Sequence, residues 1–260
     1  PDMRKLLDDL AATPEWSGRL QVHTATASNW PSLAAELAQG NLLYMTSPYA
    51  AAPTPQQLAE LLGTMQRAGV AAASPRLVLP GQTQATVVNA EWTYKAGIKD
   101  ADESSLPDTP GPLGLNLCAH EKLAVNRLPL LVDKAVYQAL NGFDLAAMNL
   151  GDAVVDFCLR LARGGHTLIW TPHATLHCHA EPTTPAEESR QHLLERHVRE
   201  LAADACLHPM WSWDNPGQFE HHIPLSWTDG PSHRPRILIL ATDGEPANDN
   251  FFYDTAMRWQ

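Results

Sequence analysis

Residues 141–181 read NGFDLAAMNLGDAVVDFCLRLARGGHTLIWTPHATLHCHAE. Asn141-Gly142 has turn chemistry, because both residue types tolerate the backbone a tight turn needs. Asp152 and Asp156 follow at the start of a helical pattern; four residues apart, they share one helix face. Gly164-Gly165 stops that helix. A short strand then ends at Trp170-Thr171-Pro172 and leads into His173, His177 and His179. The order predicts carboxylates and imidazoles at the end of a strand, where open α/β sheets place their chemistry.

Outward from this stretch, residues 3–10 have helical character, with Leu6, Leu7 and Leu10 on one face. RLQVHT (19–24) reads as a short strand, 32–38 as a helix stopped at Gly40, and NLLYM (41–45) as a buried strand. A proline turn leads into a helix over 56–68, ended by Gly69, and a strand over 70–79 broken by Pro75. This alternation predicts an α/β layer with a mixed, mostly parallel sheet flanked by helices. Residues 80–112 read as a long irregular excursion. Strand and helix return from Leu130, with a helix over 134–140. Residues 187–205 predict one densely charged helix. A Trp/Pro/His-rich linker follows, and RILILA (236–241) reads as the first strand of a second α/β domain. The expected domains are therefore 1–207 and 236–260, joined by a linker over 208–235. The start at Pro1 and the end at Gln260 point to a piece of a longer protein.

Composition narrows the classes. The chain has 260 residues, 44% hydrophobic and 18% charged, enough for a sizeable core. Net charge is -11 and the basic residues are scattered, which argues against nucleic acid as the main partner. No apolar run reaches the roughly 18 residues a membrane-spanning helix needs, and the first ten residues lack a signal-peptide pattern. Cys118, Cys158, Cys178 and Cys206 show no CxxC spacing and fit free thiols in a reducing, cytoplasmic compartment.

The motif series Asn141-Gly142-Phe143-Asp144, Asp156-Phe157-Cys158-Leu159-Arg160-Leu161, Gly164-Gly165, Trp170-Thr171-Pro172-His173 and His177-Cys178-His179 resembles the acceptor-side half of family 2 glycosyltransferases. GNLLYMTSPYAAAPTPQQLAELL (40–62) resembles the strand, metal motif and helix of the donor side. The resemblance covers about 21–182. It implies a GT-A-like fold and sugar transfer from a nucleotide-sugar donor to a glycan or lipid-linked glycan acceptor, in bacterial surface polysaccharide synthesis. It also implies a divalent metal, Mn²⁺ or Mg²⁺, and a place at the inner face of the membrane. Its residue-level implications are acceptor-side binding by Asn141, Gly142, Phe143, Asp144, Arg160 and Trp170. The base comes from the carboxylates Asp152 and Asp156, and the metal contact falls to His179, with His177 second.

One motif departs. Where the family has Asp-x-Asp, this chain has Thr46-Ser47-Pro48, so both carboxylates are replaced. Hard divalent cations prefer charged oxygen ligands, which a hydroxyl and a proline do not supply. The base position also has two alignments. It is Asp152 if one residue is inserted, and Val154 if not. Several readings stay open. Asp152 is either a base or a helix cap. Asp156 and Arg160 are either catalytic and phosphate-binding or an i,i+4 ion pair. The histidines either meet a metal, including zinc with Cys178, or line a polar loop. Trp211, Trp213 and Trp227 either stack on sugars or pack between domains. The whole is a transferase, a non-catalytic GT-A-like module for acceptor binding or scaffolding, or an unrelated α/β binding domain.

Overall fold

The computed structural model describes residues 3–14, 16–23, 36–81, 86–87, 92–94, 98–100, 109–110, 112–179, 187–202 and 206. The chain divides between Phe219 and Glu220, and everything after Cys206 lies outside the described residues. The expected linker, the strand over 236–241 and Trp211, Trp213 and Trp227 fall there. So does most of the helix expected over 32–38.

The ordered elements are helix α1 (Met3–Ala11), strand β1 (Leu42–Met45), helix α2 (Pro55–Met65) and strand β2 (Val70–Leu79). Short strands β3 (Thr86–Val87), β4 (Trp92–Tyr94) and β5 (Ile98–Asp100) follow, then a 3₁₀ turn (Pro112–Leu117). Strands β6 (His120–Lys122) and β7 (Leu130–Asp133) lead into helices α3 (Lys134–Ala139) and α4 (Leu150–Arg163). Strand β8 (Thr167–His177) and helices α5 (Glu187–Arg196) and α6 (Val198–Ala202) complete the series.

The sheet is mixed α/β but mostly antiparallel, which corrects the expected parallel order. Its strand order is β1-β7-β2-β8-β6, with β3 on the end of β2. β1, β2 and β8 run the same way, as their alternation with helices predicts. β7 inserts between β1 and β2 and pairs antiparallel with both, and β6 pairs antiparallel with β8. Among the described strands only β2 and β8 form a parallel neighbour pair. Alternation reports chain direction; it does not report which strand a later segment slots between.

Period-2 alternation assigns the two faces. Leu43, Met45, Ala72, Leu130, Val132 and Leu168 point into one core layer, roofed by Phe157, Leu161 and their neighbours on α4 and by Leu193 on α5. Ala73 and Leu131 point the other way, against Leu61 on α2. α2 starts with a capping box: Thr54 and Gln57 each bond the other's backbone N–H.

Five further expectations are corrected. Pro75 does not break β2. Register shifts there instead, from Pro75 opposite Thr171 to Arg76 opposite Thr175. The extra residues on β8 begin with Pro172, so both prolines sit at a bulge, where a missing N–H costs no ladder bond. For the same reason β8 does not end at Trp170-Thr171-Pro172 but runs on to His177. Residues 19–23 form a turn and extended chain with no strand pairing, Gln21 bonding the side chain of Gln39. The helix expected over 187–205 breaks at His197 into α5 and α6. Within the excursion over 80–112, β4 and β5 pair antiparallel and β3 extends the main sheet.

Candidate functional site

Two places attract attention. The first is the carboxyl end of β1, β2 and β8, where residues 46–51 meet the end of β8. Ala51 N–H donates to the His177 carbonyl at 2.7 Å, and His179 N–H donates to the Tyr49 carbonyl at 2.7 Å. Cys178 bridges Ala50 and donates its N–H to Val78. The His179 backbone therefore lies beside Tyr49, the residue after Thr46-Ser47-Pro48.

The turn does not fit a hard divalent cation. Ser47 is buried, and its hydroxyl accepts from Tyr49 N–H at 3.3 Å. The Thr46 hydroxyl is directed at the Ser47 carbonyl at 3.4 Å. Pro48 offers no side-chain donor atom. Among the described residues no three His, Cys, Asp or Glu side chains are grouped to hold a metal. Among the described residues a Mn²⁺ or Mg²⁺ clamp would have imidazoles and no carboxylate here, so no catalytic step is routed through such an ion.

The second place is the packing of α4 against α5 and α6. Asn149 caps α4 by accepting from Asp152 N–H at 2.9 Å. The cap is thus Asn149, and Asp152 is the third helical residue, where a carboxylate suits the helix dipole. Asp152 is 2% exposed. Its carboxylate accepts from the Asn149 amide at 2.9 Å and the Ser189 hydroxyl at 2.6 Å, and pairs with Arg190 at 2.9 Å.

One turn later Asp156 is fully buried. Arg160 bonds it at 2.8 Å through Nε, Arg196 at 3.1 Å through Nη1, and His197 at 2.8 Å through Nε2. Burial by itself would raise this carboxyl's pKa. The hydrogen bonds from His197 and Arg160, with the charges behind them, outweigh burial and hold it well below the usual carboxylate range. His197 is fully buried too, with Nδ1 at 3.2 Å from the Arg163 guanidinium. A guanidinium only donates, so Nδ1 accepts and Nε2 carries the proton given to Asp156. Arg163 also pairs with Glu200 at 2.7 Å, and that hydrogen bond lowers the Glu200 pKa.

Arg160 extends the network to the Asn-Gly turn. It donates to the carbonyls of Leu140 and of Gly142, the latter at 2.6 Å. Asn141 and Gly142 both have positive φ, 61° and 60°. A Cβ on Gly142 would lie 2.8 Å from the Tyr137 ring. Phe143 is buried edge-on against Tyr137 and Phe157, with centroids 5.4 Å away in each case. Asp144 pairs with Arg196 at 3.0 Å. Burial pushes the Tyr137 hydroxyl's pKa up to about 12, and that hydroxyl accepts from Phe143 N–H.

Of the residues singled out in sequence, Asn141, Gly142, Phe143, Asp144, Asp156 and Arg160 are therefore joined in one network, with Asp152 one turn away on the same helix face. The groups that sequence reasoning missed are Ser189, Arg190, Arg196 and His197. Their stretch read as one densely charged helix, and the break at His197 carried no proline or glycine signal. Trp170 lies elsewhere. It is fully buried in β8, beside the His120 ring at 5.3 Å and under the Lys122 ammonium at 5.5 Å. His179 lies two residues past the far end of the same strand.

No protein-family model and no curated protein sequence matches this chain. Among solved structures it is similar to one described as the crystal structure of GalNAc-T7 with UDP, GalNAc and Mn²⁺. Identity is 12% and the TM-score 0.48, over 65% of this chain and 34% of that one. The chain thus spans about a third of that structure's length. No described helix is long and apolar enough to cross a membrane.

Proposed function

We propose that residues 1–207 are a GT-A-like module of a glycan-building protein, one that serves acceptor binding or scaffolds a neighbouring domain and does not run metal-dependent sugar transfer itself. The motif order from Asn141 to His179 supports the glycosyltransferase kinship. The observation that carries the non-catalytic reading is the chemistry of the strand ends. At residues 46–48, hydroxyls tied into a turn stand where a metal clamp needs carboxylates. The two acids offered as bases point the same way. Asp152 and Asp156 spend their oxygens on Asn149, Ser189, Arg190, Arg160, Arg196 and His197. A base must instead reach an acceptor hydroxyl, at about 2.6–3.2 Å, and stay free to take its proton. On this reading the two acids, with Asn141, Gly142, Phe143, Asp144 and Arg160, build the platform beneath the acceptor side.

The second reading, an active transferase using a nucleotide-sugar donor, is favoured by one observation, the position of His179 against residues 46–49. Titration calorimetry with a panel of nucleotide sugars, with and without Mn²⁺, separates the two. The proposal expects no metal-dependent donor binding. Saturable binding that requires Mn²⁺ would overturn it in favour of the transferase.

A further inference from the structure

The end of β8 holds a ligand pair that the platform does not use. Leu176 and Cys178 pack together with Leu77 in one buried cluster. His177 and His179, alternating with them, are both exposed. Extended backbone places every second side chain on one face, so these two imidazoles leave the chain on the same side, about 7 Å apart at their origins. Their backbone is pinned on both flanks. His177 accepts from Ala51, Cys178 donates to Val78, and His179 donates to Tyr49, at 2.7, 2.9 and 2.7 Å.

We propose that His177 and His179 form a two-imidazole chelate for a borderline transition-metal cation, accepting Ni²⁺, Zn²⁺ and Cu²⁺ and rejecting Mn²⁺ and Mg²⁺. An ion bound about 2.0–2.1 Å from each ring nitrogen lies within reach of both rings by side-chain rotation alone. Imidazole nitrogen suits Zn, Cu and Ni, whereas Mn and Mg select carboxylate and carbonyl oxygen. The pinned backbone reduces the ordering cost of bringing the two ligands together. Cys178 does not join, because it faces the opposite, buried side. No third His, Cys, Asp or Glu of the described residues completes the set. The ion's remaining positions therefore belong to water or to an oxygen or nitrogen atom of an incoming ligand. The strand end that resembles a hard-cation site is thus built for softer cations.

The test is calorimetric titration of the full chain with Ni²⁺, and separately with Mn²⁺, in a non-chelating buffer. Cys118 and Cys206, both exposed, are replaced by serine throughout to remove thiolate binding. Loss of groups that merely support a metal ligand costs about 10–100-fold in affinity, so losing one of two ligands weakens Ni²⁺ binding by at least about tenfold. His177→Ala and His179→Ala should each show that loss, and the double variant should lose the site. His221→Ala/His222→Ala, which removes the other closely spaced histidine pair in the sequence, should leave it unchanged. Both β8 side chains are exposed, and circular dichroism checks that the variants stay folded. Ni²⁺ binding unaltered in the His177/His179 double variant, or Mn²⁺ bound as tightly as Ni²⁺, would overturn the proposal. Mn²⁺-dependent donor binding would instead count against the non-catalytic reading, so the two failures are distinguishable.

Discussion

Asp156 is the residue on which most of the platform converges. It takes hydrogen bonds from Arg160, Arg196 and His197 while fully buried. Removing one partner of such a buried set leaves the others uncompensated, so Asp156→Asn should destabilise folding by about 3–5 kcal/mol in urea denaturation. The pH dependence follows from the direction of its shift. A carboxyl whose folded pKa is depressed stabilises the fold above its unfolded value, near 3.8. That contribution shrinks as pH falls below this value toward the lower folded pKa. Acid unfolding of the wild type should therefore steepen below about pH 4, and Asp156→Asn should lose that component. Gly142 is constrained differently. Its φ of 60° and the Tyr137 ring 2.8 Å from a built Cβ both oppose a side chain. Gly142→Ala should cost about 1–3 kcal/mol through strain and overpacking, with Ala146→Gly, at an exposed position, as a mild comparison.

Helix α4 shows how much an element's sequence discloses. Its stop was legible in Gly164-Gly165, and the structure realises it with His166 N–H returning to the Leu161 carbonyl and Gly165 N–H to Ala162. Its start was legible only in part. Asp152 attracted the capping role, but Asn149 holds it, three residues earlier. Asn149→Ala should destabilise the protein by about 1 kcal/mol, the usual loss of an N-cap, and more if the freed Asp152 carboxylate also loses its hold on Ser189. The strands were legible wherever a buried run was short and bounded, as in β1 and β7. β8 was misjudged because a proline normally ends a strand, whereas here Pro172 falls in a bulge opposite Pro75. Arg160 was legible as the i,i+4 partner of Asp156, but the distant partners of Asp152 and Asp156 could not be read. They sit 37–41 residues downstream on α5 and just past it, and no local pattern reports that a charged helix aims its arginines at buried carboxylates of another helix.

At the scale of the molecule, the sheet places its three co-directed strand ends, β1, β2 and β8, at one side, and residues 46–51 and 177–179 there contain no Asp or Glu. Asp152 and Asp156 lie instead on α4, bonded to Ser189 and Arg196 of α5 and to His197. The order of turn, helix stop and strand was legible, because each follows local chemistry. Activity was not, because it depends on which oxygens remain free after packing. The central claim is that these strand ends do not hold a nucleotide sugar through a hard divalent cation. Calorimetric titration with a nucleotide-sugar panel, each with and without Mn²⁺, tests it most directly. The account predicts no donor binding that depends on Mn²⁺. Saturable, Mn²⁺-dependent binding of any one donor, abolished by chelation and lost in His179→Ala, would contradict it.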